Sequence, residues 1–120
     1  MSVPSVAFVM YPISDMARAV AFYQDALGFK KSGVESEAWV EFDVAGTTFG
    51  VGNFEQVGKV GSAQSLALEV DDLPGFRKTL TERGVESSEP FQMPSCAISV
   101  VKDPDGNQIW LHQISSDRKS

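Results

Sequence analysis

The feature that most constrains the fold of this chain is an internal repeat. The segment 13–16 (Ile-Ser-Asp-Met) recurs as 70–73 (Val-Asp-Asp-Leu), 57 residues later, and Gly28 recurs as Gly84, 56 residues later. In each copy an Asp precedes an apolar helical pattern and suits a helix N-cap, while the glycine suits a left-handed helix end. Each copy is therefore predicted to contain a strand, a helix and then further strands, a βαβββ unit.

Apolar periodicity predicts the elements of both copies. The helical residues of the first copy are Met16, Val20, Tyr23 and Leu27, and its predicted strands are 5–13, 29–34, 37–44 and 47–51. The helical residues of the second copy are Leu73, Phe76 and Leu80, and its predicted strands are 65–70, 90–102 and 107–114. We predict a single domain over 1–120, with module one at about 5–54, a linker at about 52–64, module two at about 65–114 and a polar tail at 115–120.

The segment 103–107, Asp-Pro-Asp-Gly-Asn, predicts a tight turn. Pro fixes φ at the second turn position, and the side chain of Asp103 can accept hydrogen bonds from the following backbone, so a type I turn and a hairpin are expected. In the strand that follows, alternation places Ile109 and Leu111 on one face and Trp110 and His112 on the other.

Composition excludes several classes of function. The chain has 120 residues, 42% of them hydrophobic, which is enough for one core without disulfides or metal. Ten basic and sixteen acidic residues give a net charge of -6, which disfavours nucleic-acid binding. No apolar run is long enough to span a membrane, and the first 30 residues show no secretion signal. With its single cysteine, Cys96, interpreted as a small buried hydrophobe, the chain is predicted to be cytoplasmic.

The order of these motifs resembles that of a known superfamily. The βαβββ repeat, the capped helix with Phe22-Tyr23 that ends at Gly28, the segment 68–73 (Leu-Glu-Val-Asp-Asp-Leu) and the turn 103–107 together resemble the vicinal oxygen chelate superfamily. Its members include glyoxalase I, bleomycin-resistance proteins, extradiol dioxygenases and fosfomycin-resistance enzymes. The resemblance implies an α+β fold of two βαβββ modules in a half-open, cup-shaped mixed sheet, with helices on the convex face, the ligand on the concave face, and a homodimer with swapped or unswapped modules.

The resemblance also implies where metal ligands would lie. Relatives that are metalloenzymes hold His, Gln or Glu at three strand positions, which correspond here to Phe8, Ser65 and Trp110. Aromatic rings offer no lone pair to a divalent cation, and a lone serine hydroxyl is a poor ligand. We therefore expect no metal and no other cofactor, which removes the Lewis acid of the glyoxalase, dioxygenase and epoxide-opening reactions.

Alternation on the strands predicts a ligand site. The side chains expected on the concave face are Phe8, Met10, Trp39, Ser65, Glu69, Trp110 and His112, with Ala67 and Glu41 beside them. Two interpretations of the aromatic residues stay open, because Phe8 and Trp110 either contact a ligand or fill the cup with their own rings. Glu41, Glu69 and His112 are the candidate catalytic bases, and each is also explained as an ordinary strand residue.

The leading interpretation is a metal-free protein similar to bleomycin-resistance proteins, which binds an aromatic or cationic small molecule, for example an antibiotic, and sequesters it. This interpretation disfavours an enzymatic function, because Phe8, Ser65 and Trp110 stand where the metal ligands would lie. The first alternative is a lyase, isomerase or dioxygenase-type enzyme of the same superfamily, with a relocated metal or a metal-free acid/base site. The second alternative is a degenerate scaffold without a ligand.

Overall fold

The computed structural model of the protein describes residues 1–115. Of the polar tail predicted at 115–120, only Ser115 falls within the described residues, and its backbone N–H donates to the carbonyl of Ser95 at 2.9 Å. Within residues 1–115, neither helix is long and apolar enough to cross a membrane.

The described residues form two βαβββ modules. Module one contains β1 (Val9–Pro12), α1 (Met16–Val20, continued by a π-helix over Ala21–Ala26), β2 (Lys30–Glu35), β3 (Trp39–Val44) and β4 (Thr47–Gly52). Module two contains β5 (Leu66–Glu69), α2 (Leu73–Glu82), β6 (Phe91–Gln92), β7 (Cys96–Lys102) and β8 (Gln108–Ile114). A 3-10 turn over Glu55–Val57 follows β4. The α+β class and the two-module repeat are confirmed.

Each module contains one four-stranded mixed sheet, and the two sheets have the same topology. The strand orders are β1-β4-β3-β2 and β5-β8-β7-β6. In both sheets the first strand pairs in parallel with the last strand of its module, and the other neighbours are antiparallel. The repeat seen in the sequence is therefore a repeat of strand connectivity as well.

The ends of both helices follow the sequence prediction. The side chain of Asp15 accepts a hydrogen bond from the Arg18 backbone N–H at 3.1 Å, and that of Asp72 accepts one from Gly75 at 3.1 Å. Gly28 and Gly84 both have φ of +80°, a left-handed conformation in which a glycine carries no steric cost.

The buried face of the first helix differs from the predicted one. Of the predicted residues, Tyr23 and Leu27 are buried, but Met16 and Val20 are only half-buried, and Ala19 and Phe22 are buried instead. The buried stripe is instead Ala19, Phe22, Tyr23 and Ala26, which are spaced at i, i+3, i+4 and i+7. The π-helix begins after Met16 and Val20, and in it the Leu27 N–H bonds the Phe22 carbonyl five residues back at 3.1 Å.

Several strand boundaries differ from the predicted ones, and three of these differences concern the candidate site. β1 begins at Val9 and β5 at Leu66, so Phe8 and Ser65 lie immediately before their strands rather than inside them. The strand predicted at 90–102 is two strands, β6 and β7, because the chain turns between Gln92 and Cys96 at Pro94, which has no N–H for a sheet hydrogen bond.

The turn at 103–107 is held by a buried polar cluster, and its residues group with module one (Met1–Ala63). Asp103 is 5% exposed and accepts from the Tyr23 hydroxyl at 2.7 Å, from the Asn107 side chain at 2.8 Å and from backbone N–H groups of the turn. The Asn107 amide donates in turn to the Pro12 carbonyl at 2.7 Å. The predicted turn is confirmed, and its role is structural.

The same cluster affects the ionisation of Tyr23. Burial, and then the charge of Asp103, raise the pKa of Tyr23 far above its ordinary value.

Candidate functional site

A group of aromatic side chains lies on the face of the module-one sheet that points away from the helix. The buried core uses Tyr11, Val40 and Phe42, so alternation directs their neighbours on β1 and β3 to the opposite face. We call this group the module-one surface; it consists of Phe8, Met10, Trp39, Glu41 and Phe54. Trp39 is its centre, because its ring centroid lies 5.2 Å from that of Phe8 and 6.1 Å from that of Phe54. Phe8 and Phe54 remain 43% and 41% exposed.

Two glycines of β4 make room for the Trp39 indole. A Cβ atom on Gly52 would lie 2.8 Å from the indole, closer than real Cβ contacts allow, and one on Gly50 would lie closer still to the same ring. Both residues are paired with β3, Gly52 opposite Trp39 and Gly50 opposite Glu41. The Trp39 ring therefore lies directly over the β4 backbone at Gly50 and Gly52, because glycine has no side chain to prevent so close an approach.

Glu41 fixes the position of the Trp39 ring. Its Oε2 accepts from Trp39 Nε1 at 2.9 Å, and its Oε1 accepts from the Val34 backbone N–H at 3.1 Å. The second contact occurs where β2 is irregular, at Gly33 with φ of +68°. Glu41 therefore has structural partners for both carboxylate oxygens. To act as a catalytic base, Glu41 would have to give up its hydrogen bond to Trp39 or to Val34 and accept a proton from the substrate instead.

We call the corresponding face of the second sheet the module-two surface. It consists of an apolar row of side chains and a second row, called the polar row because it contains Glu69 and His112. Strand pairing aligns Ala67, Trp110 and Val100 in one row across β5, β8 and β7. The next row on the same face aligns Glu69, His112, Ile98 and Phe91. Trp110 is 40% and Phe91 63% exposed, while Ile109 and Leu111 on the other face are buried, as the alternation predicted.

A direct contact joins the two titratable side chains of the polar row. His112 Nδ1 lies 2.5 Å from Glu69 Oε1, and Glu69 Oε2 accepts from the Ile114 backbone N–H at 2.8 Å. Because an ionised carboxylate can only accept, Nδ1 carries the proton in this contact. When the ring is neutral, Nε2 is then the acceptor, the arrangement in which a carboxylate orients a general base.

The predicted site residues thus form two groups. Phe8, Met10, Trp39 and Glu41 share the module-one surface, and Glu69, Trp110 and His112 share the module-two surface. Ser65 is exposed and precedes the first paired residue of β5, so strand pairing does not fix its side chain on that surface.

Sequence reasoning missed four participating residues: Gly50, Gly52, Phe54 and Phe91. Gly50 and Gly52 gave a usable signal. They alternate with Phe49 and Val51 along one strand, so one face of that strand carries no side chains there, which indicates that another group approaches it closely. Phe54 lies in a loop and Phe91 in a two-residue strand, where periodicity gives no signal.

The side chains at the positions of the superfamily's metal ligands do not fit a metal ion. The Phe8 ring packs edge-on against Trp39 at an interplanar angle of 70°, Trp110 presents an indole, and Ser65 offers a single hydroxyl. None of these groups supplies the imidazole or carboxylate donors that a divalent cation takes in proteins. Within residues 1–115, no three His, Cys, Asp or Glu side chains lie close enough to hold a metal ion.

Two βαβββ modules, each with aromatic residues on the sheet face opposite its helix, define a class of protein that comparison identifies. A family model described as the Glyoxalase/Bleomycin resistance protein/Dioxygenase superfamily matches residues 5–111. The chain belongs to this superfamily, as the sequence resemblance indicated.

Solved structures of the same superfamily are similar to the chain over nearly its whole length. TnmS3, an antibiotic binding protein from Streptomyces sp. CB03234, is 30% identical, with 96% of this chain and 99% of that chain covered and a TM-score of 0.84. A glyoxalase/bleomycin resistance protein from the same organism is 32% identical over 91% and 100% of the two chains, with a TM-score of 0.75. A superfamily member from Sphaerobacter thermophilus DSM 20745 is 30% identical over 92% and 98%, with a TM-score of 0.78. No curated protein sequence matches the chain significantly.

Proposed function

We propose that this chain binds a small aromatic or cationic molecule without a metal ion and sequesters it. The observation that carries the proposal is the module-one surface, where Phe8, Trp39 and Phe54 cluster on a sheet face and two of the three rings stay more than 40% exposed. A contiguous exposed aromatic group of this kind is typical of a binding surface. The similarity to TnmS3, an antibiotic binding protein, supports an antibiotic as the ligand.

The contacts that such a surface offers contribute a gross binding energy of the size that small-molecule recognition uses. Burying one large apolar side chain against a ligand contributes about 1.5 to 3 kcal/mol, and placing a cation over an indole contributes roughly 0.5 to 2 kcal/mol more. Three such contacts, one of them with a cation, contribute roughly 5 to 11 kcal/mol before the costs of association, and micromolar affinity corresponds to about 8 kcal/mol. The acidic net charge of -6 adds a long-range attraction for cations.

Thermal denaturation in the presence of a panel of polycyclic antibiotics and planar aromatic cations tests this proposal. A compound that binds the folded protein raises its melting temperature with the logarithm of ligand concentration. We expect Trp39→Ala to weaken the binding of such a compound roughly tenfold or more. The control is Val60→Ala, which truncates a side chain of 42% exposure outside both surfaces and should leave binding unchanged.

Two results would contradict the proposal. If no compound in the panel raises the melting temperature of the wild-type protein, the scaffold without a ligand is the better interpretation. If Trp39→Ala lowers the stability of the free protein but leaves the affinity unchanged, the rings fill space within the protein instead of contacting a ligand.

The contact between Glu69 and His112 favours a second candidate function, a metal-free acid/base enzyme. A carboxylate-oriented imidazole is the usual form of a general base, and Trp110 beside it could hold an aromatic substrate. Exchange of the α-protons of 2-tetralone for deuterium in D₂O, followed by NMR, tests this activity. Exchange faster than in buffer and lost in His112→Phe would support an enzyme, and exchange at the buffer rate would remove this candidate.

We further propose that the protein acts in the cytoplasm as a homodimer free of bound metal. The resemblance to bleomycin-resistance proteins supports the dimer, and the donor chemistry at Phe8, Ser65 and Trp110 supports the lack of metal. A free, buried Cys96 is compatible with a reducing compartment. Native mass spectrometry of protein taken directly from cells reads subunit number, metal and bound molecule together. A mass of one chain, or a stoichiometric Zn, Ni, Mn or Fe, would contradict the corresponding part of this proposal.

A further inference from the structure

The two rows of the module-two surface differ in chemistry in a way that selects a ligand. The row of Ala67, Trp110 and Val100 is apolar, and the small side chain of Ala67 leaves the Trp110 indole exposed beside it. The neighbouring row places His112 two residues along β8 from Trp110, which corresponds to about 7 Å. A planar ring on the Trp110 indole therefore brings a substituent on its edge to the imidazole of His112.

The hydrogen bonds of Glu69 determine which nitrogen of the His112 imidazole carries the proton. Glu69 Oε2 accepts a hydrogen bond from the Ile114 backbone N–H, and Glu69 Oε1 accepts one from His112 Nδ1. In the neutral tautomer with the proton on Nδ1, the other nitrogen, Nε2, offers only a lone pair. Among residues 1–115, the His112 ring forms no hydrogen bond other than the one to Glu69, and 29% of its side chain is exposed.

From this geometry we infer that the module-two surface recognises a hydroxylated aromatic ring, with the ring on Trp110 and its hydroxyl donating a hydrogen bond to His112 Nε2. The inference rests on the proposed ligand-binding function and names the class of ligand. Glu69 is a positioning residue, because it acts on the ligand only through the tautomer of His112. An aromatic ring without a donor leaves Nε2 desolvated and unpaired, which weakens its binding.

A matched pair of small aromatic probes tests the inference. 2-Naphthol and 2-methoxynaphthalene share the bicyclic ring, but only the first can donate a hydrogen bond. By isothermal titration calorimetry at neutral pH, we expect the wild-type protein to bind 2-naphthol roughly tenfold more tightly than the methoxy compound. Trp110→Ala should weaken the binding of both probes by a similar factor, because it removes the ring contact that they share.

Two substitutions at the polar row separate recognition from folding. His112→Phe removes the acceptor and keeps a flat side chain, so the preference for 2-naphthol should disappear. In Glu69→Gln, the amide oxygen still accepts from Ile114, which turns the amide N–H groups toward Nδ1 and moves the imidazole proton to Nε2. Nε2 then donates, and the preference should vanish or reverse. Glu82→Gln, at an exposed glutamate of α2, removes the same charge and should leave the preference unchanged.

The outcomes distinguish this inference from the proposed function. Equal affinities of the two probes for the wild-type protein, with both lost in Trp110→Ala, would overturn the hydroxyl recognition and leave ligand binding intact. A preference for 2-naphthol that persists in Glu69→Gln would overturn the role of the tautomer. If neither probe binds the wild-type protein at millimolar concentration, the inference is wrong, and the proposed function then depends on the antibiotic panel and Trp39→Ala alone.

Discussion

The polar cluster around Asp103 shows how single residues hold the module-one core. Tyr23 is fully buried among Phe29, Phe42 and Phe49, with ring centroids 5.0 to 6.2 Å away, and its hydroxyl is paired with Asp103. A carboxylate that is 5% exposed needs such donors, because an unpaired buried charge is costly. The motif 103–107 that identifies the turn in the sequence therefore also serves as the polar centre of an aromatic core.

Removal of the Tyr23 hydroxyl tests the strength of this cluster. Tyr23→Phe deletes one hydrogen bond to a charged group and leaves the ring in place, so we expect the free energy of unfolding to fall by about 2 kcal/mol in urea denaturation. Asp103→Asn should cost more, because it turns an N–H donor toward other donors. A loss below about 0.5 kcal/mol in Tyr23→Phe would show that the hydrogen bond contributes little.

The raised pKa of Tyr23 predicts how stability changes in alkaline solution. Burial and the neighbouring Asp103 keep the phenol protonated in the folded state, whereas a tyrosine in the unfolded chain ionises near pH 10. The contribution of this group to stability is therefore complete below about pH 10 and is lost as the pH rises above it. The stability gap between the wild-type protein and Tyr23→Phe should narrow by about 1.4 kcal/mol per pH unit there, and a constant gap would contradict the pKa shift.

At the scale of elements, alternation predicted which strand face each side chain occupies. The assignment held for β3 and β8 because one face of each strand packs into a core, so a shift of one residue would expose Val40 or Leu111. Alternation could not predict contacts between strands. The pairing of Glu69 with His112 depends on the register of β5 against β8, and no periodicity indicates the π-helix over Ala21–Ala26.

A substitution on β4 tests whether the glycines position the module-one surface. Gly50→Ala adds a methyl group where the Trp39 indole lies, so the ring must move away from Glu41 and Phe8. We expect a shift in tryptophan fluorescence, and an affinity for any ligand of the module-one surface that falls at least tenfold. Thr47→Ala, at an exposed position of the same strand, should change neither quantity. Normal fluorescence and affinity in Gly50→Ala would contradict the close approach of the ring.

At the scale of the whole molecule, the repeat predicted the architecture and missed one long-range assignment. The repeat, the capped helix that ends at Gly28, the segment 68–73 and the turn 103–107 together predicted two βαβββ modules and the superfamily. The grouping of the turn 103–107 with module one could not be predicted, because the bonds from Tyr23, Ser14 and Asn107 join residues 80 to 95 positions apart. The strand faces of the candidate residues could be predicted where the strands are regular, whereas Phe54, in a loop, and Phe91, in a two-residue strand, gave no such signal.

The two tryptophans of the chain give the most direct measurement, because each lies on the surface of a different module. Trp110→Phe leaves Trp39 as the only tryptophan, and Trp39→Phe leaves Trp110. Both variants are titrated with the panel of polycyclic antibiotics and planar aromatic cations. The account predicts saturable quenching of Trp39 at micromolar concentrations by at least one compound, with a dissociation constant that Val60→Ala does not change. Quenching that rises linearly with concentration for every compound, without saturation, would contradict the claim that the module-one surface binds a ligand.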